Sequence, residues 1–272
     1  MQTTEATRLL ARRIREHALR MVHAANASHI GTGLSMADIL AVLYGGVLRV
    51  DPARPDWPER DRLVVSKGHG AAALYAALAH AGFFPVERLD SFCRDGTALA
   101  GHVSHYVPGV DFSTGSLGHG LSLAAGVAMG RKLDGHAGRA FAILSDGECD
   151  EGSIWEAVLF APHHGLDNLV AIVDYNKIQS FGSVKEVLDL EPFADKWASF
   201  RWQVEVVDGH DHDALRAALC AVPKAPGKPT VVIAHTVKGK GVEFMEDKLL
   251  WHYKSPDKEQ LAAALAQVGR EP

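Results

Sequence analysis

The chain has 272 residues, 47% of them apolar and 22% charged, with a net charge of −5. That length fits one large α/β domain or two small ones, and the composition is ordinary for a soluble globular protein. The acidic balance, with no Lys/Arg run, argues against a nucleic-acid surface, and no stretch approaches the ~18 consecutive apolar residues of a membrane span. The charged, amphipathic N-terminus lacks a signal-peptide core. Cys93, Cys149 and Cys220 are too scattered for a disulfide framework or a zinc site, so a reducing cytoplasm is the expected location.

Residues 5–25 read as a helix with Leu9, Leu10, Ile14, Leu19 and Val22 on one face. A loop over 26–33 hands over to a helix expected to start near Ser35 or Met36, with Ser35 as N-cap and Asp38 in the capping-box position. A proline-rich loop, 51–61, precedes a strand at 62–65, and Ser66-Lys67-Gly68-His69-Gly70 follows at its carboxyl end. An alanine-rich helix at 71–81 comes next, then an irregular stretch, 83–110, carrying Gly101-His102. Thr114-Gly115-Ser116-Leu117-Gly118-His119-Gly120 opens a helix to about Leu133, where Ala124, Ala125, Gly126 and Ala128 predict close packing. The apolar run 141–144 reads as a buried strand and stops at Ser145-Asp146-Gly147. Helical spacing from about Ser153 puts Ile154, Trp155, Val158 and Leu159 on one face. A second apolar run, 169–173, ends in Asp174-Tyr175-Asn176. Beyond it come a strand at 202–207, a helix at 211–221, a turn near 223–229, a strand at 229–234 and a last helix after Pro256. This alternation predicts one α/β domain over residues 1–272, built on a mostly parallel sheet with helices on both faces.

The central strand–helix–strand unit places Asp146 and Asn176 together at the carboxyl ends of neighbouring parallel strands, where open α/β sheets bind ligands. A carboxylate and an amide oxygen are hard donors and, with a ligand's phosphates, suit a magnesium-type ion. Gly147 lets backbone approach a phosphate closely. Glu148 and Glu151 are either further metal ligands or acids of a solvated first helical turn. Among 15 histidines, some, such as His136, His210 and His212, read as chance surface residues. Others pair with glycine in loops: Ser28-His29-Ile30-Gly31, Gly68-His69-Gly70, Gly101-His102 and Gly118-His119-Gly120. One such loop means little; four of them beside Asp146 and Asn176 point to one site. Histidine suits proton transfer near neutrality, its unperturbed pKa being ~6.5. Lys238 and Lys240, between glycines, are either a phosphate clamp or a basic turn.

Asp146-Gly147 followed by Asn176 is the thiamine diphosphate motif, and its surroundings resemble transketolase over nearly the whole chain. The resemblance covers the N-terminal, diphosphate-binding part of a transketolase and implies a single thiamine diphosphate-binding (PP-type) domain. It implies that Asp146, Asn176 and the Ile178 carbonyl hold Mg2+ (or Ca2+ or Mn2+). Gly115, Ser116, Leu117, Gly147 and Glu148 would border thiamine diphosphate, as would His69, Lys238 and His252. His29, His69 and His102 match histidines lining the substrate channel, and His252, in Glu246-Asp247-Lys248-Leu249-Leu250-Trp251-His252, closes over the site with Lys238. His119 stands where Gln is expected and is left out of the catalytic set; Gly118 and Gly120 read as close packing and Glu156 as structural. Ser145 replaces the usual Gly, so its Cβ and hydroxyl either cost cofactor affinity or add a hydrogen bond. The glutamate that activates the cofactor belongs to the family's pyrimidine-binding domain, which this stretch does not include. The resemblance therefore implies a separate C-terminal subunit, an α2β2 assembly, and two-carbon ketol transfer from a ketose to an aldose, as sugar phosphates. The alternatives are the α subunit of a 2-oxo-acid dehydrogenase, opposed by the histidine pattern, and a non-catalytic cofactor-binding or stabilising subunit, hinted at by Ser145 alone.

Overall fold

The computed structural model describes residues 2–270. Five strands form a wholly parallel sheet: β1 (Arg62–Val65), β2 (Ala140–Ser145), β3 (Leu169–Tyr175), β4 (Gln203–Asp208) and β5 (Thr230–His235), in the order β1-β2-β3-β5-β4. Every residue of β2 and β3 is buried. Both faces of a central parallel strand are covered by crossover helices, which is why these two read as unbroken apolar runs.

Strand residues alternate between two cores, as the two-residue period requires. Phe141, Ile143, Val170, Ile172 and Val232 face α1 (Thr4–Ala25), α3 (Ala37–Val42) and α4 (Ala71–His80). Ala142, Leu144, Ala171, Val173 and Ile233 face α5 (Gly120–Leu133) and α6 (Gly152–His163). Between α1 and α3 lies a short helix, α2 (Ile30–Ser35). The chain continues after β3 through α7 (Val184–Val187) and α8 (Phe193–Ser199), then α9 (His212–Cys220) and α10 (Lys258–Val268). No helix among the described residues is long and apolar enough to cross a membrane.

Four local expectations change. Residues 30–35 are helical, so Ser35 ends α2 and caps nothing; its hydroxyl bonds Thr32 O at 3.0 Å and Asp174 Oδ2 at 2.6 Å. Asp38 is no capping-box residue either: it is 4% exposed and its carboxylate is taken up by Arg15, His210 and His212. His212 is therefore buried, and His210 is mostly so, with 15% of its side chain exposed, which removes both from the chance surface set. On α6, Leu159 is 58% exposed and Ala157 and Ala161 take its place facing the sheet, because small residues let the helix sit closer.

The first and last parts of the chain meet. α1 packs against α10, His23 Nδ1 lies 2.7 Å from Pro256 O, and Ser28 Oγ donates to Tyr253 O at 3.0 Å. Because all five strands run the same way, the loops after β1, β2, β3 and β5 gather at one end of the sheet.

Candidate functional site

A cavity of about 230 Å³ opens at that end, lined from α2, from the loops after four strands and from the 249–252 turn. His29, His69, His102 and His252 all line it. Ring centroids lie 5.1 Å apart for His29 and His69, 5.7 Å for His29 and His102, and 5.0 Å for His29 and His252.

Backbone chemistry places each ring. His29 holds a left-handed φ of 73° as it enters α2, and its N–H donates to His252 O at 2.9 Å. A side chain other than Gly in that region costs energy and persists where its surroundings fix it. His102 is pinned through its carbonyl, which accepts the hydroxyl of buried Tyr75 at 2.8 Å; the same hydroxyl accepts Ser104 N–H at 3.0 Å. His69 lies in the one-turn Gly68–Gly70 helix that ends the β1 loop. His252 Nδ1 lies 3.1 Å from Lys238 Nζ.

The same cavity presents Asp146, Asn176 and Ile178. Asp146 directly follows β2, is 1% exposed, and accepts Gly147 N–H at 2.7 Å and Lys177 N–H. Asn176 Oδ1 accepts Ile178 N–H at 3.2 Å, and the Ile178 carbonyl accepts the Lys238 ammonium at 2.8 Å. Among the described residues no three His, Cys, Asp or Glu side chains form a metal cluster. One carboxylate, one amide oxygen and one carbonyl are instead a partial set of hard donors, suited to a cation that keeps ligands from elsewhere.

Electrostatics agree with that donor set. Burial first, and Asp174 second, push the Asp146 carboxyl up to about 6, the mark of a buried carboxylate short of positive charge. Burial, helped by His102 and Lys238, lowers His29 to about 4. Burial, Lys238 and His29 lower His252 to about 3. His69 is held well below its ordinary value by burial and Lys67. Lys238 falls to about 8 through burial and Lys67. Near neutrality His29, His69 and His252 are uncharged imidazoles, each able to give one hydrogen bond and accept another.

The cavity does not gather every residue singled out above. Gly115, Leu117 and Gly147 line it. Ser116 is exposed and outside the lining. Glu148 is fully buried and outside it too: its carboxylate takes Ser66 O–H, Gly118 N–H (2.8 Å) and Ser145 N–H (3.2 Å), so it is neither a solvated acid nor a metal ligand here. Glu151, Glu156 and His119 are exposed. Lys240 leans toward Glu246, 3.8 Å away. Gly120 is a packing glycine, since a Cβ there would collide with Ser66. Ser145 does line the cavity, and its Oγ accepts Glu148 N–H at 3.2 Å.

Sequence reading passed over Thr32, Gln179 and Lys67. Thr32 and Gln179 line the cavity. A Cβ on Gly147 would lie 2.8 Å from Gln179 Cγ, so that glycine makes room for Gln179. Lys67 lies fully buried in an ion pair with Asp174, which also accepts the Ser35 and Thr236 hydroxyls. The Gln that directly follows Asn-x-Ile had no pattern to announce it.

Comparison with known proteins identifies the family. The family model for "Transketolase, thiamine diphosphate binding domain" matches residues 6–272. The chain is 44% identical over 259 residues to the 6-deoxy-6-sulfo-D-fructose transketolase subunit SqwG of Clostridium sp. (strain MSTE9), covering 95% of this chain and 94% of that protein. It is 39% identical to one of the apulose-4-phosphate transketolase subunits, that of Phocaeicola vulgatus, covering 97% and 94%. Among solved structures it superposes on the transketolase of Leishmania mexicana with a TM-score of 0.91 and 30% identity, covering all of this chain and 42% of that one. The transketolase of Campylobacter jejuni gives 0.91 and 32%, with 98% of this chain and 43% of that one covered. The chain thus belongs to the transketolase family, in its thiamine diphosphate-binding domain.

Proposed function

We propose that this chain is the diphosphate- and magnesium-binding subunit of a two-subunit transketolase. A separate C-terminal subunit carries the pyrimidine-binding domain and its activating glutamate, and the two assemble as α2β2. The enzyme moves a two-carbon ketol unit from a ketose to an aldose. The observation that carries this reading is the meeting of four imidazoles with Asp146, Asn176 and the Ile178 carbonyl around one cavity. Two relatives of matching length are themselves described as transketolase subunits, which supports a divided enzyme. Their names carry a sulfonated and a phosphorylated sugar, in keeping with a substrate that bears an anionic tail.

Asp146, Asn176 and Ile178 O would hold the metal as a partial set of hard oxygen donors. Gly115 and Leu117 border the cofactor, and the Lys238 ammonium offsets diphosphate charge. Thiamine diphosphate, when bound there, would supply the carbon nucleophile for two-carbon transfer. The chain's histidines do the proton work: neutral His29, His69 and His252 accept a proton from a donor hydroxyl and return one to the acceptor oxygen. Phe181, 83% exposed beside the lining residue Ser180, and Tyr253, 53% exposed beside His252, give the mouth an apolar rim of the kind a second subunit covers.

Calorimetric titration of thiamine diphosphate with Mg2+, into the chain alone and mixed with its C-terminal partner, tests the proposal. Binding should tighten in the mixture and fall at least tenfold in Asp146→Ala. Absence of binding in both cases refutes it, and turnover of 2-oxo acids by the mixture would favour the dehydrogenase reading.

A further inference from the structure

A buried polar chain outside the cavity leads back to it. It starts at Asp38 on α3, 4% exposed, whose two oxygens receive Arg15 Nη1 at 3.2 Å, His212 at 3.0 Å and His210 Nδ1 at 2.6 Å. Burial pushes the Asp38 carboxyl up, but Arg15 and hydrogen bonds from both histidines outweigh it, so the group stays ionised. The other nitrogen of His210, Nε2, accepts the backbone N–H of Val237 at 2.9 Å. An Nε2 that accepts an N–H carries no proton, so the proton sits on Nδ1 and is donated to Asp38. The carboxylate thereby selects the tautomer that can accept from Val237.

Val237 needs such a partner. β5 ends at His235, whose carbonyl already accepts Gly209 N–H at 2.7 Å, and Thr236 N–H still reaches Tyr175 O at 3.2 Å. Val237 is the first residue past the sheet's ladder, where a half-buried N–H must find a side chain or go unpaired. Its neighbours are fastened too: the Thr236 hydroxyl to Asp174, and Gly239 N–H to Gly31 O at 3.0 Å. Lys238 lies between them, 2% exposed, reaching Ile178 O and His252.

We propose that His210 is a positioning residue: oriented by Asp38, it holds the Val237 amide and so fixes the segment that aims Lys238 at the Ile178 carbonyl and His252. The functional weight of this inference rests on the role proposed above for Lys238, but its structural content does not.

Three measurements on the unliganded chain test it. Long-range 1H–15N spectra of the wild-type chain should show His210 protonated at Nδ1 and unprotonated at Nε2; the opposite tautomer overturns the inference without any variant. In His210→Phe, which keeps a ring but no acceptor, Val237 amide exchange and Lys238 acylation should each speed up at least tenfold. His210→Gln, whose Oε1 reaches roughly where Nε2 stood, should restore both to within about threefold of wild type. A folded His210→Phe with unchanged exchange and acylation, or failure of Gln to rescue, refutes positioning. Thiamine diphosphate titration with Mg2+ in the partner mixture then separates the two readings. If exchange and acylation respond as expected while wild type binds no cofactor, positioning stands and the reading of the cavity falls.

Discussion

Asp174→Asn removes one charge from a pair whose side chains are both 0% exposed. Burial alone would raise the Asp174 carboxyl; the Lys67 ammonium and the hydrogen bonds from Lys67, Ser35 and Thr236 outweigh it and leave it below its ordinary value. Asn keeps the volume and can still accept from Ser35, but the buried Lys67 ammonium loses the carboxylate it is paired with. Breaking a buried pair from one side costs about 3–5 kcal/mol. With a urea slope of about 3 kcal/mol per molar for a domain of this size, the unfolding midpoint should fall by roughly 1–1.7 M. The double variant Lys67→Met/Asp174→Asn removes the stranded charge and should recover at least half of that loss, because the pair is replaced rather than broken. A shift below about 0.3 M in Asp174→Asn, or a double variant no more stable than it, would refute the reasoning.

Three further outcomes are expected. The Ser145 oxygen is occupied by Glu148 N–H, so its own hydrogen can be donated into the cavity; Ser145→Gly should weaken thiamine diphosphate binding by about 1.4 kcal/mol, roughly tenfold, in calorimetry. Tighter binding in that variant would mean that the Cβ obstructs instead. A methyl on Gly120 would lie 2.7 Å from Ser66 Cα, so Gly120→Ala should cost about 1–3 kcal/mol and lower the calorimetric melting point; an unchanged melting point would show that α5 can shift its start. His29, His69 and His252 have depressed pKa values, so below pH ~6.5 the unfolded chain takes up protons that the folded chain does not. Stability of the unliganded chain should therefore fall as pH drops from about 6.5 toward 4, and His29→Asn/His252→Asn should flatten the slope of urea midpoint against pH. An equal slope in the double variant contradicts the assignment.

What the sequence reveals here depends on how local the cause is. The two apolar runs ending in Asp146 and Asn176 needed only neighbouring residues to be read, and parallel pairing then put their ends together. Three of the four cavity histidines, His29, His69 and His102, stood out through their glycine partners and His252 through resemblance alone, while glycine-paired His119 lies outside the cavity. Local reading failed where the partner lies far along the chain. Ser35 looked like a helix cap, yet its hydroxyl answers to Asp174, 139 positions away. Asp38 looked like half of a capping box, yet His210 and His212 claim it from 172 and 174 positions on. Ile30–Ser35 contains two glycines and has no helical propensity to advertise; packing under the cavity makes it a helix. α7 and α8 were missed for a similar reason, since Phe193 and Trp197 find their burial against α6 and the β4 region rather than in a periodic run of their own.

The meeting of His29 with His252 has a bearing on synthesis. A chain emerging from the ribosome acquires Asp146, Asn176 and three of the four imidazoles well before residue 252 is made. Until residue 252 appears, the His29 amide lacks the carbonyl it donates to and Lys238 lacks the ring beside it. The bonds from Ser28 to Tyr253 and from His23 to Pro256 must wait as well. All five strands, the last of which ends at His235, can therefore be in place while the pocket is still open on one side, and residues 23–29 are locked down only once residues 252–256 follow.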